Sequence, residues 1–359
     1  MNANSSLLPA RRNFLKKSLQ TAGLLLGAAP QRFSIANQPS DKLLNAYYFR
    51  AHMYTMVPRQ VREDMEWMAD LGTDVVSVAV LEQDLFAAVE NIEIICQEAE
   101  RVGMQVFAVP SRWGGMFAGA PKVPSLFSVK NPQTWVLQED GTPKISSVTG
   151  VISSVHYPET YEFFCESLAK VLKLWPIRGI MWDEPKSYGY DYSPKAVEKL
   201  GQDAPLEAHW QATADFHGRL NQFIKENYPD ITTCLFEQAH KSRLIQTVAQ
   251  IPYLDYLGCD GRPWYRSDGG KDESNGKNLL GAEAGEQFLK VARQNDRKTL
   301  WLIENHNLAT KDIALMDQRL PEVLSHDVDQ LIYYYYPRSV AEPDRAMQVI
   351  ARHVKNFKG

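Results

Sequence analysis

Acidic residues recur where short apolar runs end. Asp183 and Glu184 close the run Gly179-Ile180-Met181-Trp182, and Pro185 follows at once. Glu237 ends the run Ile231 to Phe236, Asp260 follows Tyr253 to Cys259, and Glu304 follows Thr299 to Ile303. A carboxyl held where a core strand meets solvent is partly desolvated. Several at successive strand ends are costly unless they are paired or used. Two facing carboxyls suit cleavage of a glycosidic bond: one protonates the leaving oxygen, and the other attacks the anomeric carbon or activates water. That chemistry calls for no metal and no cofactor. Arg50, His52, Arg112 and His306 fall at neighbouring run ends, where they can hold substrate hydroxyls or pair with the acids. Trp113, Trp264, Tyr188 and Tyr190 can stack on a sugar ring or pack in the core. In the run Tyr333-Tyr334-Tyr335-Tyr336, side chains alternate in and out, and the mouth-end Tyr335 or Tyr336 is the candidate for the site.

The elements that must position these residues alternate regularly. Leu44 to Phe49 reads as the first strand, and Pro58 to Leu71 as a helix with Val61, Met65, Met68 and Leu71 at helical spacing. Asp74 to Leu81 and Met104 to Val109 read as strands around the helix Ile92 to Val102. A long excursion, Met116 to Val155, carries a hairpin signal at Glu139-Asp140-Gly141. Helix Pro158 to Leu174 leads into the Gly179 strand. A tyrosine-rich excursion then runs from Ser187 to Pro205, ahead of the helix Ala208 to Tyr228. The remaining strands are separated by helical segments at Ser242 to Ala249, Ala284 to Gln294 and Thr310 to Leu324. The last strand, Gln330 to Tyr336, precedes the helix Pro343 to Phe357. The polar stretch Gly261 to Gly281 reads as a lid. Eight strands and eight helical segments in strict alternation imply a parallel sheet closed into a single-domain (β/α)8 TIM barrel. An open doubly wound sheet would favour a glycine-rich loop after the first strand, and none is present. In such a barrel the chemistry lies at the C-terminal strand ends, walled here by the excursions after the third, fourth and sixth strands.

Composition narrows the partners. The chain has 359 residues, 44% hydrophobic and 23% charged, with a net charge of −4. That balance argues against nucleic acid or an anionic membrane surface. The four cysteines, Cys96, Cys165, Cys234 and Cys259, show no metal or redox spacing and read as buried thiols, with a Cys234–Cys259 disulfide left open. Residues 1–36 read as an export signal, and the barrel as residues 37–359. Arg11-Arg12-Asn13-Phe14-Leu15-Lys16 precedes a small apolar run, Ala22 to Ala29, too short to span a bilayer. The paired arginines resemble a twin-arginine translocation signal, which implies a periplasmic or secreted protein.

The strand-end acids carry a further resemblance. Asp183-Glu184-Pro185 and Ile303-Glu304-Asn305 resemble the retaining glycoside hydrolases of (β/α)8 clan A. That clan places an acid/base Glu after the fourth strand, often as Asn-Glu-Pro, and a nucleophile Glu after the seventh. The resemblance implies Glu184 as general acid/base, Glu304 as nucleophile and a carbohydrate substrate. Asp183 stands in place of the Asn. The segment Trp135 to Glu184 is also similar to a group of glycosidase-like barrels, through Asp140-Gly141, Tyr157-Pro158-Glu159 and Gly179 to Pro185. Some retaining barrels acting on α-linked sugars use an Asp after strand four as nucleophile. That role would fall to Asp183, with Glu237 or Asp260 as proton donor. Two other readings stay open. Glu184, Glu237, Asp260, Glu304 and a histidine can hold a divalent ion, as in sugar isomerases and epimerases of the xylose-isomerase-like barrel type. A non-catalytic carbohydrate-binding barrel would show stacking aromatics without a competent carboxyl pair.

Overall fold

The computed structural model describes residues 41–49, 56–119, 122–147, 149–238, 243–264, 267–268, 271–272 and 282–358. The expected export signal and the candidates Arg50 and His52 lie outside the described residues, as does most of the polar stretch 261–281. No helix among the described residues is long and apolar enough to cross a membrane.

Parallel strands close a (β/α)8 TIM barrel in sequence order. They are β1 (Leu43–Tyr48), β2 (Val75–Val80), β3 (Gln105–Pro110), β4 (Ile177–Asp183), β5 (Thr232–Gln238), β6 (Tyr256–Gly261), β7 (Lys298–Ile303) and β8 (Gln330–Tyr335). β8 pairs with β1 from Leu43↔Gln330 to Tyr48↔Tyr335, which removes any free sheet edge. The outer layer is α1 (Pro58–Asp70), α2 (Val89–Arg101), α3 (Pro158–Leu174), α4 (Leu206–Asn227), α5 (Ile245–Ala249), α6 (Ala282–Gln294), α7 (Thr310–Leu324) and α8 (Pro343–Val354). Pro58, Pro158 and Pro343 open their helices, where a missing N–H costs nothing.

Both strand faces are buried, so the strands read as largely apolar runs rather than polar alternations; Val75–Val80 is buried throughout. Inward residues, among them Val75, Phe107, Met181, Phe236, Leu302 and Ile332, fill the barrel. Outward ones pack under the helices. Gly179 faces Phe107 in the lumen, and a Cβ there would sit 2.7 Å from the ring. β4 begins two residues before the expected Gly179 and runs on through Asp183. The four cysteines are free; Cys234 lies in the inner layer and Cys259 in the outer one, so their side chains diverge.

The excursion after β3 is built as a wall. Buried Glu82 accepts from Ser125 Oγ (2.6 Å), Phe127 N (2.8 Å) and Gly114 N (3.2 Å). The expected hairpin turns at 138–142, where Gln138 N donates to Thr142 O at 2.8 Å and Gly141 has φ 79°.

Candidate active site

The inward register of the strands lifts a set of acids to the top of the lumen. Asp183 ends β4 pointing inward and accepts a 2.6 Å hydrogen bond from the Tyr47 hydroxyl of β1. Its carbonyl takes Ala118 N at 2.9 Å, which ties the β3 excursion to the end of β4. Glu184 then turns out of the strand at φ 37°, an uncommon conformation for a residue with a side chain. Pro185 disfavours a helical Glu184, and Glu184 N donates to Phe236 O at 3.1 Å, so the turn is fixed from both sides. Lys186 forms an ion pair with Glu184 Oε2, and Gln238 Nε2 donates to the same oxygen at 3.0 Å.

Glu304 follows β7, with its N–H on Gly261 O at 2.8 Å and its Oε2 3.9 Å from Arg262 Nε. One oxygen each from Glu184, Asp260 and Glu304 lie within 4.8 Å of one another. Such crowding has electrostatic consequences. Burial, and then the charge of Glu184, push Glu304 up to about 7 and Asp183 also to about 7. The same two causes carry Asp260 well above the usual carboxylate range. Burial alone would lower the Lys186 ammonium, but Glu184, Glu237 and Asp260 outweigh it and raise it. Burial, with the charges of Arg338 and Arg262 beside it, pushes His306 down to about 3, so its ring is neutral.

Over these groups lies a cavity of about 220 Å³, lined by Arg112, Asp183, Glu184, Lys186, Glu304 and Tyr334 among others. His306 also lines it, its ring edge-on to Tyr334 at 5.2 Å. Arg112 enters with φ 64° and donates to Gly119 O. Gly119 has φ 98°, and a Cβ there would meet Ser111 Oγ at 2.1 Å, so this wall admits only glycine. A larger hollow of about 820 Å³ is lined by Tyr188, Tyr190, Tyr192, Trp210, Lys144 and Arg243. The carboxyl cluster lies in the smaller cavity.

The cavity gathers Asp183, Glu184, Glu304, Arg112 and His306, with Asp260 beneath Glu184 and Glu304. Other candidates go elsewhere. Trp113 is buried, gives its indole N–H to Val80 O at 2.9 Å, and packs on Phe163 and Phe164. Trp264 is buried in the outer layer. Tyr335 turns outward and donates to Asp64 Oδ1 of α1 at 2.8 Å; Tyr334 is the tyrosine that faces the cavity. Tyr336 is exposed and bonds Asp344 at 2.8 Å. Glu237 is buried on the outer side of β5 by strand alternation, and Gln238 takes the inward place. Tyr188 and Tyr190 line the larger hollow instead. Lys186, Tyr47, Gln238, Arg262, Tyr334 and Arg338 were not singled out from the sequence. Lys186 carried a usable signal, standing two residues after Glu184.

No family model matches the chain, and no curated protein matches it in sequence. Solved structures do. A β-galactosidase from the psychrophilic Marinomonas ef1 superposes with TM-score 0.61 at 13% identity over 87% of this chain. The chain spans 59% of that enzyme's length. The catalytic domain of a Paenibacillus polymyxa β-amylase gives 0.60 at 9% identity, over 89% of this chain and 99% of that one. An endo-β-1,4-mannanase from Thermotoga petrophila gives 0.54 at 9%, over 88% and 77%. The likeness is one of fold. These neighbours are glycoside hydrolases built on the same barrel.

Proposed function

We propose that the chain hydrolyses a glycosidic bond with retention, using Glu184 and Glu304 as its carboxyl pair. The observation that carries this reading is their approach to within 4.8 Å, oxygen to oxygen, in a cavity at the barrel's C-terminal face. So close an approach of single oxygens is compatible with the short carboxyl separation of retaining pairs, about 5–5.5 Å. Glycosidase neighbours with the same barrel support the reaction class. The surrounding charges favour roles opposite to those implied by the motif resemblance. Lys186 and Gln238 both donate to Glu184 Oε2, donors that an ionised carboxylate accepts. Glu304, pushed up to about 7, keeps a proton to give. Glu304 therefore protonates the leaving oxygen while Glu184 attacks the anomeric carbon. Glu304 then takes the proton of the water that releases the sugar.

Product stereochemistry of the two glutamine variants tests the roles. Glu304→Gln should lose about 10²–10⁴-fold on alkyl glycosides yet retain activity on dinitrophenyl glycosides, whose leaving group needs no proton. Added azide should rescue it to a glycosyl azide of retained configuration. Glu184→Gln should lose both substrates, with azide giving the inverted product. The opposite pattern would restore the motif-implied roles, and full activity in both variants would remove the pair altogether.

The three-carboxyl cluster also favours a second reading, a divalent cation held by Glu184, Asp260 and Glu304 for sugar isomerisation. Lys186 already supplies a cation at Glu184, which speaks for the first reading. Hydrolysis that survives EDTA supports the carboxyl pair; isomerase activity restored by magnesium or manganese would replace it.

A further inference from the structure

The cavity carries as many lining cations as acids gathered at it, Asp260 included. Arg112, Lys122, Lys186 and Arg338 all line it, against Asp183, Glu184 and Glu304. Lys186 is matched by Glu184, and Arg112 faces Asp183. Neither Arg338 nor Lys122 has an ion pair among the described residues. Arg338 instead stands within electrostatic reach of two groups it does not favour: it pushes down both Arg112 and His306. Backbone geometry fixes the turn that presents it. Tyr336 and Ser339 on either side take φ 42° and 57°, and Arg338 O accepts Asn307 N at 3.1 Å. The whole chain has a net charge of −4. Arg338 is exposed at the cavity rim, and its backbone is held there by this turn. An arginine so placed can meet an anion, because its guanidinium fork matches a carboxylate or sulfate.

We infer that the glycoside taken by this cavity carries an anionic substituent on its sugar ring, a carboxylate or a sulfate ester, held at the rim by Arg338 and Lys122. The inference rests on the glycosidase reading for its substrate class and adds the charge of the sugar. It also explains why neutral His306 sits beside the arginines: it can accept or donate to a ring hydroxyl without adding charge.

Calorimetric binding tests the inference apart from turnover. D-Glucuronate, D-galacturonate and glucose 6-sulfate are compared with D-glucose and D-galactose on the wild type, Arg338→Gln, Arg338→Lys and Lys122→Gln, with inorganic sulfate as control. Retained thermal unfolding would show that each variant folds. At least one acidic sugar should bind about tenfold or more tightly than its neutral counterpart. Arg338→Gln should remove that margin, and Arg338→Lys should keep part of it. The carboxylate and sulfate arms separate the two anions. In parallel, 4-nitrophenyl uronides and hexosides are assayed for hydrolysis. Arg338-dependent binding without cleavage of any uronide upholds the anion site and removes the glycosidase reading. Cleavage of neutral hexosides that depends on Glu184 and Glu304, with no preference for uronides, does the reverse. Equal binding of acidic and neutral sugars, or equal binding of all acidic probes and free sulfate, overturns the inference.

Discussion

A single cation organises the acids of this site. The charge of Lys186 lowers Asp183, Asp260 and Glu304 alike, against the burial that raises them. Lys186→Met should therefore lift Glu304 above its present value near 7. A proton donor acts only while protonated, so activity falls as pH rises through its pKa. The descending limb of kcat/KM should accordingly move to higher pH, because a nearby opposite charge is removed. A lysine that only supported the fold would change thermal stability and leave the limb where it was. The acids themselves were legible in the sequence, because an apolar run ending in Asp183-Glu184-Pro185 marks a strand end. Their partners were not. Choosing Tyr335 over Tyr334, or Glu237 over Gln238, turns on one step of strand register. One step exchanges the lumen for the helix layer.

At the scale of the elements, the bottom of the barrel repeats one device. Asp74, just before β2, accepts Leu44 N of β1 at 3.0 Å. Asp255, just before β6, accepts Thr233 N of β5 at 2.8 Å, and Asp329, just before β8, accepts Thr299 N of β7 at 2.7 Å. In each case a carboxylate at the foot of one strand satisfies a backbone donor at the foot of its neighbour. This pins the register that fixes which residues reach the lumen at the other end. Asp329 also takes the Thr299 hydroxyl at 2.7 Å, so its loss strands two donors. Asp329→Ala should cost about 1–3 kcal/mol in chemical denaturation, given charged hydrogen bonds of that order. KM should stay unchanged, because the N-terminal face serves stability. An altered KM with unchanged stability would count against this division of labour. The alternation of elements was readable from hydrophobic periodicity. These aspartates were not, because an acid before a strand gives no sign of which neighbouring N–H it will meet.

Over the whole molecule, closing eight strands concentrates acids at one end of a dry lumen, and the fold bears that cost. Asp183 and Glu304 sit at about 7, and burial with the charge of Glu184 also raises Asp260 well above the usual range, whereas unfolded carboxyls titrate near 4. Between those values the folded protein holds more protons than the unfolded chain, so its stability falls as pH rises. The sign is opposite to that of a salt-bridged acid. The contribution is fully present below about pH 4 and is lost as pH passes through 7 and beyond. Each pKa unit is worth about 1.4 kcal/mol, so Asp183 and Glu304 should remove several kcal/mol between pH 5 and 8, and Asp260 adds a loss of the same sign. Thermal unfolding across that range should show the midpoint falling, with a shallower slope in Asp260→Asn. That variant keeps the shape of the side chain and takes away its titration. A midpoint that rises from pH 5 to 8, or an unchanged slope in Asp260→Asn, would mean the cluster is held ionised by charges outside those described. The barrel itself was legible from the sequence. This price of function was not, because it arises from three strands, β4, β6 and β7, converging on one spot.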